Sequence, residues 1–178
     1  MENTTLYNIS LSQFRSFFPD APCMGMGDDF YILDATLQKN HRPLSHPCRF
    51  DGFMLLYCLK GHLRMNVNLK EFDISEGMMF MNVPGNIIRV NEILDTPQEQ
   101  VRYVCIAISR EFSQGLKLDV TKLFNEGVSM LENPGVKLDE TEINLTRSHM
   151  KLMGEQLKSD IPYKKDAILS TLSSLFYV

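Results

Sequence analysis

A regular series of short apolar segments separated by turn residues runs through residues 30–108, and it constrains the fold more than any other feature. Strand-like composition is found at residues 30–34, 50–59, 62–68, 71–74, 78–83, 87–93 and 100–109. Gly, Pro, Asn and Ser interrupt the series about every ten residues, as turns do between antiparallel strands. The spacing predicts an antiparallel sandwich or barrel rather than alternating β and α units.

Two of these segments indicate how the sheets are covered. Residues 62–68 alternate polar and apolar side chains, which predicts a strand with Leu63, Met65 and Val67 facing a core and the other face in water. Residues 50–59 are apolar almost throughout, which predicts a strand covered on both faces.

A helical pattern follows the strands. Helices are predicted over residues 110–118, over residues 120–131, from Leu138 onward, and after Asp160 and Pro162. Asp139 and Glu142 have the D-x-x-E spacing of a capping box for the third of these. The chain is therefore predicted to be mainly β with C-terminal helices, an α+β arrangement. The β part and its N-terminal arm are predicted over residues 1–110, and a helical segment over residues 111–178.

The helix from Leu138 has an unusually wide apolar face. At 100° per residue its apolar side chains cover an arc of about 180°, wider than a coiled-coil seam. Such a helix either packs on its own sheet and also on a partner subunit, or simply packs in the core. The first reading predicts a homodimer contact made by Leu138, Leu145, His149, Leu152 and Met153.

The last helix stops at residues 175–178 (Leu-Phe-Tyr-Val) without a Gly, Asn or basic residue. An apolar helix end without a cap leads us to expect a fragment of a longer protein.

Charge and targeting signals exclude several classes. The formal net charge of -4 is evenly spread, so this part of the chain is not expected to bind nucleic acid. The longest apolar run, residues 53–59, is far too short to span a bilayer, and no signal peptide precedes it. We therefore expect a cytoplasmic chain with no membrane partner and with its four cysteines reduced.

No catalytic or cofactor motif is present. His41 and His46, with Cys48 nearby, suggest a metal site at most, and no further ligand stands at a diagnostic spacing. We predict solvated loop histidines, no metal, no cofactor and no enzymatic activity. The 11 methionines are unusual, and those in the strands either fill the core or line an adaptable apolar cavity.

The β segments also resemble a known family. The stretches 50–61, 65–72 and 77–88, which include Pro84-Gly85-Asn86, are similar to the N-terminal sensor domain of AraC-type transcription regulators, especially those of Bacteroides-like bacteria. The resemblance covers about residues 30–178. It implies a cupin-like antiparallel β-barrel or jelly roll followed by dimerising helices, and a separate DNA-binding domain with two helix-turn-helix motifs that this sequence lacks. DNA is thus expected to be contacted only through that missing domain.

The resemblance also implies where a cupin metal would be bound. If Gly61 ends the first cupin motif, the Glu ligand position falls on Met54, the His-x-His region falls near residues 48–50, and Ile87 and Ile88 replace the later His. The family ligands are gone, so sensing of an unknown small-molecule effector is favoured. The alternative is a stand-alone cupin enzyme of the sugar isomerase or epimerase kind.

In the sensing hypothesis, the effector binds in the apolar mouth of the barrel. Strand alternation leads us to expect contacts from Met54, Tyr57, Met65, Met79, Met81 and Tyr103. Arg89 either adds a charged contact there or lies on the solvent-facing side of its strand.

Overall fold

The computed structural model describes residues 6–38, 44–94, 100–117 and 132–178. The strands are β1 (Tyr7–Ile9), β2 (Cys23–Met26), β3 (Phe30–Gln38), β4 (Cys48–Phe50), β5 (Phe53–Lys60), β6 (His62–Val67), β7 (Lys70–Ser75), β8 (Met78–Asn82), β9 (Ile87–Ile93), β10 (Gln100–Ile108) and β11 (Gly135–Lys137). The helices are α1 (Leu11–Ser16), α2 (Arg110–Ser113), α3 (Glu140–Lys158) and α4 (Lys164–Leu175). No helix in these ranges is long and apolar enough to cross a membrane.

The strands form two sheets with jelly-roll topology. A five-stranded sheet has the order β1-β4-β9-β6-β7, and a six-stranded sheet has the order β11-β8-β5-β10-β3-β2. From β3 to β10 the chain passes back and forth between the sheets, and only β6 and β7 are consecutive strands of one sheet. The eight strands from β3 to β10, four in each sheet, are connected as in the jelly roll of cupins and related proteins. The strands β1, β2 and β11 extend the sheets at their edges. The predicted antiparallel α+β fold class is confirmed.

Side-chain alternation explains the interior. Leu63, Met65 and Val67 of β6 are buried between the sheets, while the residues between them are partly exposed, as the sequence predicts. The apolar strand β5 is buried on both faces, as predicted. Met54, Leu56 and Cys58 join the core between the sheets, whereas Leu55 faces outward.

A helical layer covers the outer face of the six-stranded sheet. Outward residues of β3, β5 and β10 form a second core with α2, α3 and α4. The helices α3 and α4 contact each other through Gln156 and Thr171, whose side chains hydrogen-bond at 2.9 Å. The capping box is confirmed: Asp139 Oδ1 accepts from the Glu142 N–H at 2.8 Å, and Glu142 Oε2 accepts from the Asp139 N–H at 2.7 Å.

The N-terminal arm closes one end of the jelly roll. Leu11 and Phe14 of α1 are buried in the core between the sheets, and the Phe14 ring lies 5.5 Å from that of Phe50. The buried Tyr31 hydroxyl donates to the Leu11 carbonyl oxygen at 3.0 Å.

Several boundaries differ from the sequence predictions. The predicted strand 50–59 is two strands, because the chain bends at residues 51–52. A side chain at Gly52 would meet the Ile108 carbonyl oxygen at 2.7 Å, so the bend needs a glycine there. The helix predicted over 110–118 is the single turn of α2. The last helix begins only after Tyr163, which has a left-handed φ of 61°. The predicted helix over 120–131 lies outside the described residues.

Four elements were not predicted: β1, β2, β11 and α1. The strands β1, β2 and β11 have three or four residues, too few to show an alternation, and the six residues of α1 make less than two helical turns. The strand β11 matters most, since it lies within the segment predicted to be helical and adds an edge to the six-stranded sheet beside β8.

Candidate functional site

A cavity of about 460 Å³ lies between the outer face of the six-stranded sheet and the end of α4. Its volume is in the range of about 300 to 1,000 Å³ that is typical of small-molecule sites. Its lining is mostly apolar and consists of Leu55, Met79, Met81, Asn133, Pro134, Val136, Leu138, Glu142, Leu175, Phe176, Tyr177 and Val178. We refer to it as the sheet–helix cavity.

Strand β8 directs two methionines into this cavity. Its alternation sends Phe80 and Asn82 to the interior and Met79 and Met81 to the outer face, where they join the second core. Thioether side chains are flexible and adapt to irregular apolar partners, so this wall can fit ligands of different shape.

Strand β11 and the residues beside it form a second wall. Val136 pairs with Met79 in the sheet register, and the Met81 N–H donates to the Pro134 carbonyl oxygen at 2.8 Å. The Leu138 N–H donates to the Gly77 carbonyl oxygen at 3.1 Å, which ties the start of α3 to the turn before β8.

The last turn of the chain forms the third wall. The Phe176 N–H donates to the Leu172 carbonyl oxygen at 3.3 Å, and the Tyr177 N–H donates to that of Ser174 at 3.1 Å. Leu175 is buried in the second core, and Phe176 is packed against it. A molecule in the sheet–helix cavity therefore contacts the sheet and the helical layer at once.

The seven residues predicted to bind the effector do not surround one cavity. Met79 and Met81 line the sheet–helix cavity. Tyr57 is buried and pairs with Met79 in the register of β5 and β8, but it does not line that cavity.

Met54, Met65 and Tyr103 belong instead to the core between the sheets, where each is at most 4% exposed. The Tyr103 ring lies 6.2 Å from that of Phe18, and burial raises the pKa of its hydroxyl well above the ordinary value. Arg89 is exposed, and its Nε donates to the Ser45 carbonyl oxygen at 3.1 Å. The predicted effector-binding residues lie on different sides of the sheet because of strand geometry. Met54 and Tyr57, for example, are three residues apart and so face opposite sides of β5.

The residues at the cupin metal positions do not fit a metal. Met54 and Ile88 are buried among apolar side chains of the interior core. The Cys48 thiol donates to the Ile88 carbonyl oxygen at 3.5 Å, and burial raises its pKa to about 11, which disfavours the thiolate that a metal needs. Within the described ranges, no three His, Cys, Asp or Glu side chains come together as a metal site.

A second cavity, of about 490 Å³, lies between β1, α1 and the segment before β4. His46 and Cys48, two members of the histidine and cysteine group noted in the sequence, line it. The third member, His41, lies outside the described residues.

Of the five residues predicted to form a dimer contact, some are buried within the chain and others are exposed. Met153 is fully buried in the second core, and Leu138 is buried at the sheet–helix cavity. One ring nitrogen of His149 lies 3.0 Å from the Ser174 hydroxyl of α4. Leu145 and Leu152 are 44% and 50% exposed, two helical turns apart. The exposed apolar surface of α3 is therefore narrower than the predicted arc.

Sequence reasoning missed several residues of the sheet–helix cavity. Glu142 was recognised only as a helix cap, and residues 133–138 only as a chain break and a helix start. The sequence does contain one signal for this wall: Val136 and Leu138 stand on either side of a polar residue, which is the alternation of a short strand.

Comparison with known proteins bears on the fold alone. No protein-family model and no curated sequence matches the chain. Similar solved structures include the Clostridium difficile EutQ protein, with 9% identity, a TM-score of 0.39, and 50% of this chain and 66% of that one covered. Hazelnut (Corylus avellana) vicilin has 18% identity, a TM-score of 0.35, and 47% and 24% covered.

A third similar solved structure is an RmlC-like cupin with a double-stranded β-helix fold from Methanocaldococcus jannaschii. It has 10% identity and a TM-score of 0.39, and the match covers 50% of this chain and 80% of that one. The chain thus spans less than two thirds of EutQ and of the vicilin. At these TM-scores the likenesses carry no argument of their own, and the jelly roll is established by the strand order.

Proposed function

We propose that this chain is the ligand-binding and dimerisation module of an AraC-type transcription regulator that acts in the cytoplasm. A small effector occupies the sheet–helix cavity, and its binding changes how the C-terminal helices pair with those of a second copy. DNA is contacted by a separate helix-turn-helix domain, in keeping with the even, slightly acidic charge of this part.

The observation that carries the proposal is the composition of the cavity walls. Met79 and Met81 belong to the sheet, whereas Phe176 and Tyr177 belong to the end of the helical layer. An effector shifts an equilibrium between two arrangements only by the difference in its affinity for them. A cavity with walls from two layers provides such a difference, because any movement of α4 relative to β8 changes the contacts of the bound molecule.

The helical layer also supports the dimerisation part of the proposal. Leu145 and Leu152 are exposed leucines on one side of α3, and the neighbouring α4 exposes the small residues Ser170 and Ser174. Leucines beside small side chains let two helix pairs approach closely and bury apolar surface. The cavity and this surface share α3 and α4, so ligand binding and pairing act on the same elements.

We propose a sensing role rather than catalysis. The interior positions at which cupin metal ligands are expected hold Met54, Cys48 and Ile88, none of which is the His or carboxylate that such a site uses. Among the described residues that line the sheet–helix cavity, Glu142 supplies the one side-chain carboxylate, and a mostly apolar lining suits recognition.

A single tryptophan reporter tests ligand binding directly. The chain contains no tryptophan, so Tyr177→Trp introduces one emitter at the sheet–helix cavity. The matched control is Tyr163→Trp, which replaces an 82% exposed tyrosine in the turn between α3 and α4. A small apolar ligand is expected to shift the emission of the first variant in a saturable way and to leave the second unchanged.

Two results would count against the proposal. If no apolar probe changes the emission at position 177, the cavity is not a binding site. If ligand binds but the mass of the protein in solution is the same with and without it at every protein concentration, the coupling to dimerisation is wrong.

A further inference from the structure

The sheet–helix cavity contains one charged side chain among the described residues that line it, the carboxylate of Glu142. The capping box holds it in place, because Glu142 Oε2 accepts from the Asp139 N–H at 2.7 Å. A carboxylate on the wall of a mostly apolar cavity is therefore fixed in position before any ligand arrives.

In the described part of the chain, the other carboxylate oxygen of Glu142, Oε1, has no hydrogen-bond or ion-pair partner in the protein. The nearby cation Lys137, on β11, donates to the Glu76 carbonyl oxygen instead. An ionised carboxylate accepts hydrogen bonds and donates none, so a complementary ligand must supply a donor.

From this arrangement we propose that the sheet–helix cavity selects an amphiphile with an apolar body and a protonated amine, and that Glu142 binds the amine. The inference rests on the proposed function of the cavity. A charge-assisted N–H to carboxylate bond is roughly twice as strong as a neutral one. The thioethers of Met79 and Met81 and the ring of Phe176 are compatible with a nearby cation. An anionic ligand binds less well, because its charge would lie beside the like charge of Glu142.

Three probes share a phenyl-alkyl body and differ in their polar end group, so they compare a cationic, a neutral and an anionic ligand. They are 4-phenylbutylamine, 4-phenylbutanol and 4-phenylbutyrate. Each is titrated into the full chain carrying Tyr177→Trp, with the emission of that tryptophan as the readout. We expect the amine to bind about tenfold more tightly than the alcohol. The acid is expected to bind more weakly than the alcohol.

Glu142→Gln is the matched variant, because it removes the charge and keeps the helix cap. The same chain shows that glutamine can do so: in the capping box of α1 the Ser10 N–H donates to Gln13 Oε1 at 2.9 Å. Val178, which also lines the cavity, is the same in both chains, so its contribution cancels in the comparison. We expect Glu142→Gln to bind the amine about tenfold more weakly, to bind the alcohol as before, and to melt at nearly the same temperature.

The outcomes are distinguishable. If all three probes bind equally well, or if Glu142→Gln keeps the preference for the amine, the role of Glu142 is wrong while the cavity remains a binding site. If none of the probes changes the emission, both the cavity as a ligand site and the amine selectivity are overturned.

Discussion

Replacing Asn82 by leucine is expected to stabilise the fold. Asn82 is the last residue of β8, is fully buried, and lies opposite Met54 in the core between the sheets. In the described structure neither its Oδ1 nor its Nδ2 has a hydrogen-bond partner. Leucine also branches at Cγ and carries no polar atom. It therefore removes two unpaired polar groups and keeps the branching of the side chain, although it is somewhat larger.

The magnitude follows from those two atoms. Each buried polar group without a partner costs about 1 to 3 kcal/mol, so removing both relieves about 2 to 6 kcal/mol. Fitting a larger side chain into a packed core costs about 1 to 3 kcal/mol. The net gain is then about 2 kcal/mol, which raises the melting temperature of a chain of this size by about 4 to 8 °C.

Chemical denaturation monitored by circular dichroism, with calorimetry for the melting temperature, measures the effect. Asn82→Asp is the opposing variant, since it buries an unpaired charge at the same position and should destabilise strongly. Thr146→Val repeats the reasoning elsewhere, because the Thr146 hydroxyl on α3 is also buried without a partner. We expect a gain of about 1 to 3 kcal/mol there.

A loss of stability in Asn82→Leu would refute the reasoning. It would mean that the amide is paired in solution by a molecule held between the sheets, such as an ordered water. The core between the sheets would then contain a polar binding site at Asn82, surrounded by apolar side chains.

Three further predictions concern the helical layer and the thiols. The double variant Leu145→Glu with Leu152→Glu should be monomeric by light scattering at concentrations where the parent chain is a dimer, because it puts charge on the exposed leucines of α3; a monomeric parent would contradict this. Iodoacetamide at pH 8 should modify the half-buried Cys23 before the buried Cys48 and Cys58, and peptide mass mapping in which a buried thiol reacts first would oppose it. Burial raises the pKa of Cys48 and Cys58 from 9.0 to about 11, so their contribution to stability is complete below pH 9 and is lost as the pH rises through 11; denaturation midpoints that do not fall over this interval would contradict the prediction.

The sequence by itself determined the strand series, the α+β class and the capping box of α3. Alternation in β6 and continuous apolar character in β5 also predicted how many faces of each strand are covered. These features are local: a strand has a period of two and a helix cap spans four residues, so the chain records them whatever it packs against.

Tertiary structure decided where a cavity forms. Alternation shows that Met79 and Met81 share a face of β8, but not whether that face meets the other sheet or a helix. The answer depends on residues far along the chain: β11 pairs with β8, and Phe176 packs against the same outer face. The methionines predicted to line the mouth of a barrel were therefore divided between the packed interior and a cavity outside it. A side chain's direction is fixed by its own strand, whereas its partner is fixed by non-local packing.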